Sequence, residues 1–129
     1  MSTPLNYDHT RQSLERARIP LELSPTQFER LSLYFERRQK WSSAHNLAGP
    51  RSLDNPIIDL IDACALHTIL TQKPLVDVGT GSGTPGLLIA CLQPNLDILL
   101  VEPLAKRTAF LRSISHELGL KQVRTHRAK

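Results

Sequence analysis

A glycine-rich loop between two apolar segments limits the possible folds of this chain more than any other feature. The apolar segment Leu75–Val78 leads into a loop with glycines at positions 79, 81, 83 and 86, and apolar residues follow that suit a helix. A second apolar run, 98–101, ends on Glu102. A strand, a loop where a ligand can approach bare backbone, a helix and a second strand tipped with a carboxylate are typical of a nucleotide-type cofactor site.

Hydrophobic periodicity predicts that helices precede this loop. Ser24 and Gln27 form a capping-box pattern with Pro25 at the first helical position, and an amphipathic helix is expected to run from there to about Trp41. The other predicted elements of this part are a short helix over Leu14–Ile19, a loop over Ser42–Arg51 and a third helix from about Asp54 to Lys73.

After Pro74 the predicted order is strand, helix, strand, helix, strand. Leu75–Val78 is apolar on both faces, as in a strand buried within a parallel sheet. Thr84 is expected to cap the next helix, with Pro85 at its first position. The remaining predicted elements are a helix over Leu87–Leu92, a strand over Ile98–Glu102, a helix from Pro103 to Gly119 and a strand over Gln122–His126. We therefore expect an α/β fold, with an N-terminal helical region over 1–73 and a Rossmann-like βαβαβ region with right-handed crossovers over 74–129.

Composition excludes few classes of protein but sets broad limits. The 129 residues suit one domain, and the net charge of +4 permits a polyanionic partner such as nucleic acid without requiring one. The longest apolar run, Leu87–Leu92, is far shorter than a membrane span, and the N-terminus lacks an apolar signal core, so we expect a cytoplasmic protein. Cys64 and Cys91 lack CxxC spacing and are predicted to be core residues, with no metal bound.

The glycine loop matches two cofactor patterns. From Gly81 it matches GxGxxG, the dinucleotide fingerprint, but this match begins two residues after the expected end of the strand and places Pro85 inside the tight turn. The pattern Asp-x-Gly-x-Gly-x-Gly is in register with the strand and uses Asp77, Gly79, Gly81 and Gly83. This second pattern resembles the loop of class I methyltransferases, which use S-adenosylmethionine. A dinucleotide-binding oxidoreductase fragment stays as the less favoured alternative.

Three blocks of sequence resemble one methyltransferase family in particular. The blocks are Gln39-Lys-Trp-Ser-Ser-Ala-His-Asn-Leu47, Thr80-Gly-Ser-Gly-Thr-Pro-Gly86, and Val101-Glu-Pro-Leu-Ala-Lys-Arg-Thr-Ala-Phe-Leu111 with His116-Glu-Leu-Gly119. They are similar to the motifs of the bacterial small-subunit ribosomal RNA methyltransferase G family, also called glucose-inhibited division protein B. The resemblance extends from about Leu14 to Lys129. It implies N-terminal helices followed by the first βαβαβ half of a class I S-adenosylmethionine-dependent methyltransferase fold.

The resemblance also implies a reaction and a set of contacts. The reaction is methyl transfer from S-adenosylmethionine to guanine N7 of 16S ribosomal RNA in the small ribosomal subunit, which needs no catalytic base because N7 has a free lone pair. The expected cofactor-binding residues are Asp77, Gly79, Gly81, Gly83, Thr84, Glu102, Ala128 and Lys129. Glu102 is expected to accept hydrogen bonds from both ribose hydroxyls, and Lys106 and Arg107 are candidate RNA contacts.

The chain departs from the family pattern in composition and length. Ile58 and Asp59 replace an Arg-His pair, and Lys129 stands where an acidic residue is usual. A class I methyltransferase continues through four more strands, so we expect this chain to be an incomplete part of the enzyme that, alone, binds cofactor poorly and does not turn over. The alternative from another class is a non-catalytic RNA- or ribosome-binding protein built on a partial methyltransferase fold.

Overall fold

The computed structural model describes residues 5–45, 56–70 and 73–129, which form five helices and three strands. The helices are α1 (Tyr7–Arg16), α2 (Pro25–His45), α3 (Pro56–Ile69), α4 (Gly86–Leu92) and α5 (Ala105–Glu117), and the strands are β1 (Leu75–Val78), β2 (Ile98–Glu102) and β3 (Val123–Arg127). The predicted α/β fold and the predicted order of elements after Pro74 are confirmed.

Helix α2 begins at the predicted capping box. The backbone nitrogen of Ser24 donates to Gln27 Oε1 at 2.8 Å, and the backbone nitrogen of Gln27 donates to Ser24 Oγ at 3.1 Å. The helix continues to His45, so the loop predicted from Ser42 begins too early. Residues 46–51 of that predicted loop, and the predicted start of α3 at Asp54, lie outside the described residues.

The prediction for the first helix was wrong in position. Helix α1 covers Tyr7–Arg16 because the side chain of Asn6 accepts a hydrogen bond from the backbone nitrogen of His9 at 3.0 Å and caps the helix early. The chain then leaves the helix through Arg18, which has a left-handed φ of 58°. Ile19, expected within the helix, therefore lies in the connection to α2.

The three strands form a parallel sheet in the order β1-β2-β3. Leu75 pairs with Ile98, and Ile98 pairs with Val123, so the carboxyl ends of the strands meet at one edge. Each connection leads from one strand to its neighbour, and both step the same way across the sheet. Because such crossovers are right-handed, α4 and α5 lie on the same face of the sheet. Helix α2 packs over both of them, α3 packs on α4, and α1 packs on α3.

One hydrophobic core joins the helical region to the sheet. All seven residues of α4 are buried, between β1 and β2 on one side and α2 and α3 on the other. The side chains of this core come from both sides of position 73 and include Leu31, Leu60 and Leu100. The boundary between a helical region over 1–73 and a Rossmann-like region over 74–129 stays a prediction.

The opposite face of the sheet is bare in the described part of the chain. Val76 is 55% exposed and Val78 is 76% exposed, whereas Leu75 and Asp77 face the helices. The expectation that β1 is buried on both faces was therefore wrong for the described residues, because every described helix that contacts the sheet lies on one side of it. Among these residues no helix has the length and apolar content of a membrane span.

Candidate cofactor-binding site

The glycine loop leaves β1 at the carboxyl edge of the sheet. Strand β1 ends at Val78, and the backbone nitrogen of Gly79 donates to Val101 O at 2.8 Å, which keeps the start of the loop beside β2. Gly79, Gly81 and Gly83 have φ values of 71°, 63° and 103°, in the left-handed region that favours glycine. A Cβ at Gly79 or Gly81 would meet no atom within 4 Å, so the backbone of the loop is open to an approaching molecule.

Asp77 ties the two ends of the loop together. Its Oδ2 accepts one hydrogen bond from Thr80 Oγ1 at 2.7 Å and another from the backbone nitrogen of Gly86 at 3.0 Å. Burial of the carboxyl group raises its pKa above the ordinary value, and the two hydrogen bonds oppose that rise. The first residue of α4 is thereby held to β1 across the loop.

Glu102 holds the middle of the loop to β2. Its Oε1 accepts a hydrogen bond from the backbone nitrogen of Gly81 at 2.9 Å, and its Oε2 accepts one from the backbone nitrogen of Leu104 at 2.9 Å. The residue is only 2% exposed. Each oxygen keeps a further lone pair that could accept a hydrogen bond from a ligand.

Thr84 does not cap α4, so that prediction was wrong. Pro85 occupies the N-cap position and makes no side-chain capping hydrogen bond, and the backbone nitrogen of Gly86 donates to Asp77 instead. The Thr84 hydroxyl instead lies 3.4 Å from Tyr34 Oη and 3.5 Å from Arg38 Nη1, two groups on α2. The backbone nitrogens of Gly86 and Leu87 donate to Asp77 Oδ2 and Gly83 O, so the start of α4 has acceptors other than this hydroxyl.

The last two predicted cofactor residues follow β3 at the same edge. The backbone nitrogen of Ala128 donates to Glu102 O at 3.2 Å, which places the end of the chain beside the tip of β2. Ala128 is half-buried and Lys129 is exposed. Lys106 and Arg107 lie in the first turn of α5, where Lys106 is exposed and Arg107 is half-buried. The structure thus brings the predicted residues to one edge, with hydrogen bonds joining Glu102 to the loop and to Ala128.

Sequence reasoning missed a buried polar cluster behind the loop, made of Tyr34, Arg38 and Asp59. Arg37, Arg38 and Lys40 form a basic run on an amphipathic helix, where charged side chains ordinarily lie in water. Arg38 is instead buried, with its Nη1 2.8 Å from Asp59 Oδ2. A signal was present, since Tyr34, Phe35 and Arg38 share the helical spacing of a buried face.

Two neighbours of Arg38 on α2 contact α5. Arg37 forms an exposed ion pair with Glu117 on α5 at 2.8 Å, and the ring of Trp41 lies 5.5 Å from that of Phe110. Both contacts join α2 to α5. Within residues 5–45, 56–70 and 73–129, no three His, Cys, Asp or Glu side chains are grouped as metal ligands would be.

Comparison with protein families gives one match over most of the chain. The model of the GidB family, described as rRNA small subunit methyltransferase G, matches residues 27–129. Two relatives carry the name ribosomal RNA small subunit methyltransferase G. The one from Desulfitobacterium hafniense (strain Y51) is 37% identical over 117 residues, covering 90% of this chain and 49% of the relative. The one from Vibrio campbellii is 37% identical over 108 residues, covering 83% of this chain and 51% of the relative.

This chain thus spans about half the length of the curated relatives it matches. Among solved structures, coclaurine N-methyltransferase bound to N-methylheliamine and SAH is similar with a TM-score of 0.53. The match covers 97% of this chain and 47% of that one at 15% sequence identity, so it shows a shared fold alone.

Proposed function

The chain belongs to the rRNA small subunit methyltransferase G family, and we propose that it carries the cofactor-binding part of an enzyme that methylates guanine N7 of 16S ribosomal RNA. The proposed methyl donor is S-adenosylmethionine. One observation above all supports this proposal: Glu102, at the tip of β2, lies against the open glycine loop that follows β1.

The residues at this edge suit the chemistry of the donor. S-adenosylmethionine has a ribose with two hydroxyls, a methionine part with a positive ammonium and a positive sulfonium beside its carboxylate, and no phosphate. The Glu102 carboxylate is an acceptor-only group with lone pairs to spare, and Asp77 offers a second carboxylate at the end of β1. Gly79 and Gly81 leave space on the side where a Cβ would lie. These residues, with Gly83, Thr84, Ala128 and Lys129, are the proposed binding residues.

The chain's own residues would act mainly by positioning. When bound, S-adenosylmethionine supplies a methyl group on a sulfonium, which a lone pair can attack without a catalytic base. Guanine N7 carries such a lone pair, so the protein must hold it in line and exclude water. Glu102 would accept from the ribose hydroxyls with the lone pair on each oxygen that the Gly81 and Leu104 nitrogens leave unused.

Basic residues near the loop suit a polyanionic substrate. Lys106 and Arg107 open α5 next to Glu102, although positive charge at a helix N-terminus is electrostatically unfavourable. Contact with RNA phosphates would offset that cost. We propose that these two side chains face the small-subunit RNA.

The test is transfer of a labelled methyl group. An enzyme that contains this chain as its cofactor-binding part is incubated with S-adenosylmethionine, labelled in the methyl group, and with small ribosomal subunits from cells that lack their own enzyme. The RNA is then digested and its nucleosides are separated. We expect label in 7-methylguanosine, and less label with Lys106→Ala/Arg107→Ala. Absence of label would refute the activity, and binding of the subunit without transfer would favour the non-catalytic alternative.

A further inference from the structure

The buried arginine of α2 is the centre of a cluster that joins α2 to α3. The Arg38 guanidinium pairs with Asp59 Oδ2 at 2.8 Å and lies over the ring of Phe35, 4.7 Å from its centroid. The arginine side chain is 2% exposed and that of Asp59 is 14% exposed. A charge this deeply buried requires an opposite charge and hydrogen bonds, and Asp59 supplies both.

The same cluster reaches the glycine loop from the side opposite Glu102. Tyr34 Oη donates to Ser82 O at 2.8 Å, and the Thr84 hydroxyl lies within 3.5 Å of both Tyr34 Oη and Arg38 Nη1. Tyr34 is fully buried, and its guanidinium neighbour lies 5.6 Å from its ring centroid. Burial raises the pKa of Tyr34, so its hydroxyl stays protonated and remains a donor.

We propose that Tyr34, Arg38 and Asp59 are positioning residues that fix the Ser82–Thr84 part of the loop in the form that receives the cofactor. This inference rests on the proposed function for the meaning of the loop. Glu102 secures Gly81 from the sheet, and the cluster secures Ser82 and Thr84 from the helices. Joining α2 to α3 would not by itself require charge, since a well-packed apolar pair is often as stabilising as a buried ion pair.

That difference gives a test that separates positioning from simple packing. The double variant Arg38→Leu/Asp59→Leu replaces the ion pair by apolar side chains and should keep a stable fold. The amides of Gly83 and Thr84, which donate to Thr80 O at 3.0 and 3.3 Å, report the loop through hydrogen exchange measured by NMR in the 129-residue protein. We expect these two amides to exchange about tenfold faster in the variant, while the amides of α2 and α3 keep their protection.

Two further variants serve as a control and as an independent test. Arg37→Leu/Glu117→Leu removes a surface ion pair between α2 and α5 and should leave the loop amides unchanged. Tyr34→Phe removes only the hydroxyl that donates to Ser82 O and should also speed their exchange, even if the double variant does not fold. Unchanged loop amides in Tyr34→Phe, or in a folded double variant, would overturn the proposal.

Titration with S-adenosylhomocysteine adds a functional readout. We expect the unaltered protein to bind it weakly, Tyr34→Phe and the double variant to bind it about tenfold more weakly still, and the surface control to bind it as well as the unaltered protein. If the unaltered protein does not bind this compound, the proposed function is contradicted. The exchange rates would still decide whether the cluster positions the loop. Equal affinity in all variants, with binding in the unaltered protein, would show that the cluster does not prepare the site.

Discussion

The substitution Glu102→Gln tests how strongly the loop is held to β2. The change keeps the size of the side chain and removes its charge. Both carboxylate oxygens accept backbone N–H groups at 2.9 Å, one from Gly81 and one from Leu104. A glutamine keeps one acceptor oxygen, whereas its amide nitrogen would face the second N–H. One of the two hydrogen bonds is therefore lost.

The size of the effect follows from burial. A hydrogen bond to a charged group contributes about 1.5–3 kcal/mol, and at 2% exposure water cannot replace the lost partner. We expect Glu102→Gln to lower the free energy of unfolding by about 2 kcal/mol. That is a large fraction of the free energy of unfolding of a typical domain, which is roughly 5–15 kcal/mol.

Urea unfolding, followed by circular dichroism and by fluorescence, measures this loss. Trp41 is the chain's only tryptophan and packs against Phe110, so its emission reports the core. The matched control is Glu117→Gln, which removes the same charge from an ion pair with Arg37 whose side chains are 30% and 38% exposed. This control should cost less than about 1 kcal/mol because exposed ion pairs contribute little.

The comparison between these two glutamine variants decides the matter. If Glu102→Gln lowers the urea midpoint by no more than Glu117→Gln does, the reasoning is refuted. It would mean that the Gly81 and Leu104 N–H groups find other partners without cost. A change in the slope of the unfolding curve would show instead that the variant altered the compactness of one state.

Two further substitutions test the loop's supports. Gly86→Ala should lower the free energy of unfolding by about 1–3 kcal/mol, since its Cβ would lie 2.5 Å from Leu100 Cδ2 and 2.7 Å from Asp77 Oδ2. In Gly79→Ala the new Cβ meets nothing within 4 Å, so this variant should lose only about 1 kcal/mol, because of its positive φ. A lower urea midpoint for Gly79→Ala than for Gly86→Ala would contradict this. Asp77 has a raised pKa, so its contribution to stability is present below its ordinary value of 3.8 and is lost as pH rises through the raised value. Asp77→Asn can keep both hydrogen bonds and should unfold at a higher urea concentration than the unaltered protein at neutral pH, with the difference vanishing at low pH; an equal difference at every pH would be inconsistent with the shift.

Features set by near neighbours in the chain could be predicted from the sequence. The Ser24–Gln27 capping box and the end of α5 just before Gly119, where φ is 69°, depend on residues a few positions apart. The order of the strands also predicted that Asp77 and Glu102 both lie beside the glycine loop, because the carboxyl ends of parallel strands share an edge.

Features set by distant contacts could not be predicted in this way. Arg38 and Asp59 are 21 positions apart, and Tyr34 and Thr84 are 50 apart, so no local pattern shows that they meet. The exposure of Val78 was likewise hidden, because an apolar strand looks the same whether one or both of its faces are covered.

The fully buried helix α4 has a consequence for how the chain folds. Seven residues are too few to form a stable helix alone, and Gly86–Leu92 offers no polar face to water. It can persist only once β1 and β2 have paired on one side and α2 and α3 have docked on the other. The parallel strands meet only after a long loop has closed, so the barrier to folding should be crossed slowly. Because α4 needs both the strands and the helices, we expect the helical region and the sheet to fold together in one cooperative step.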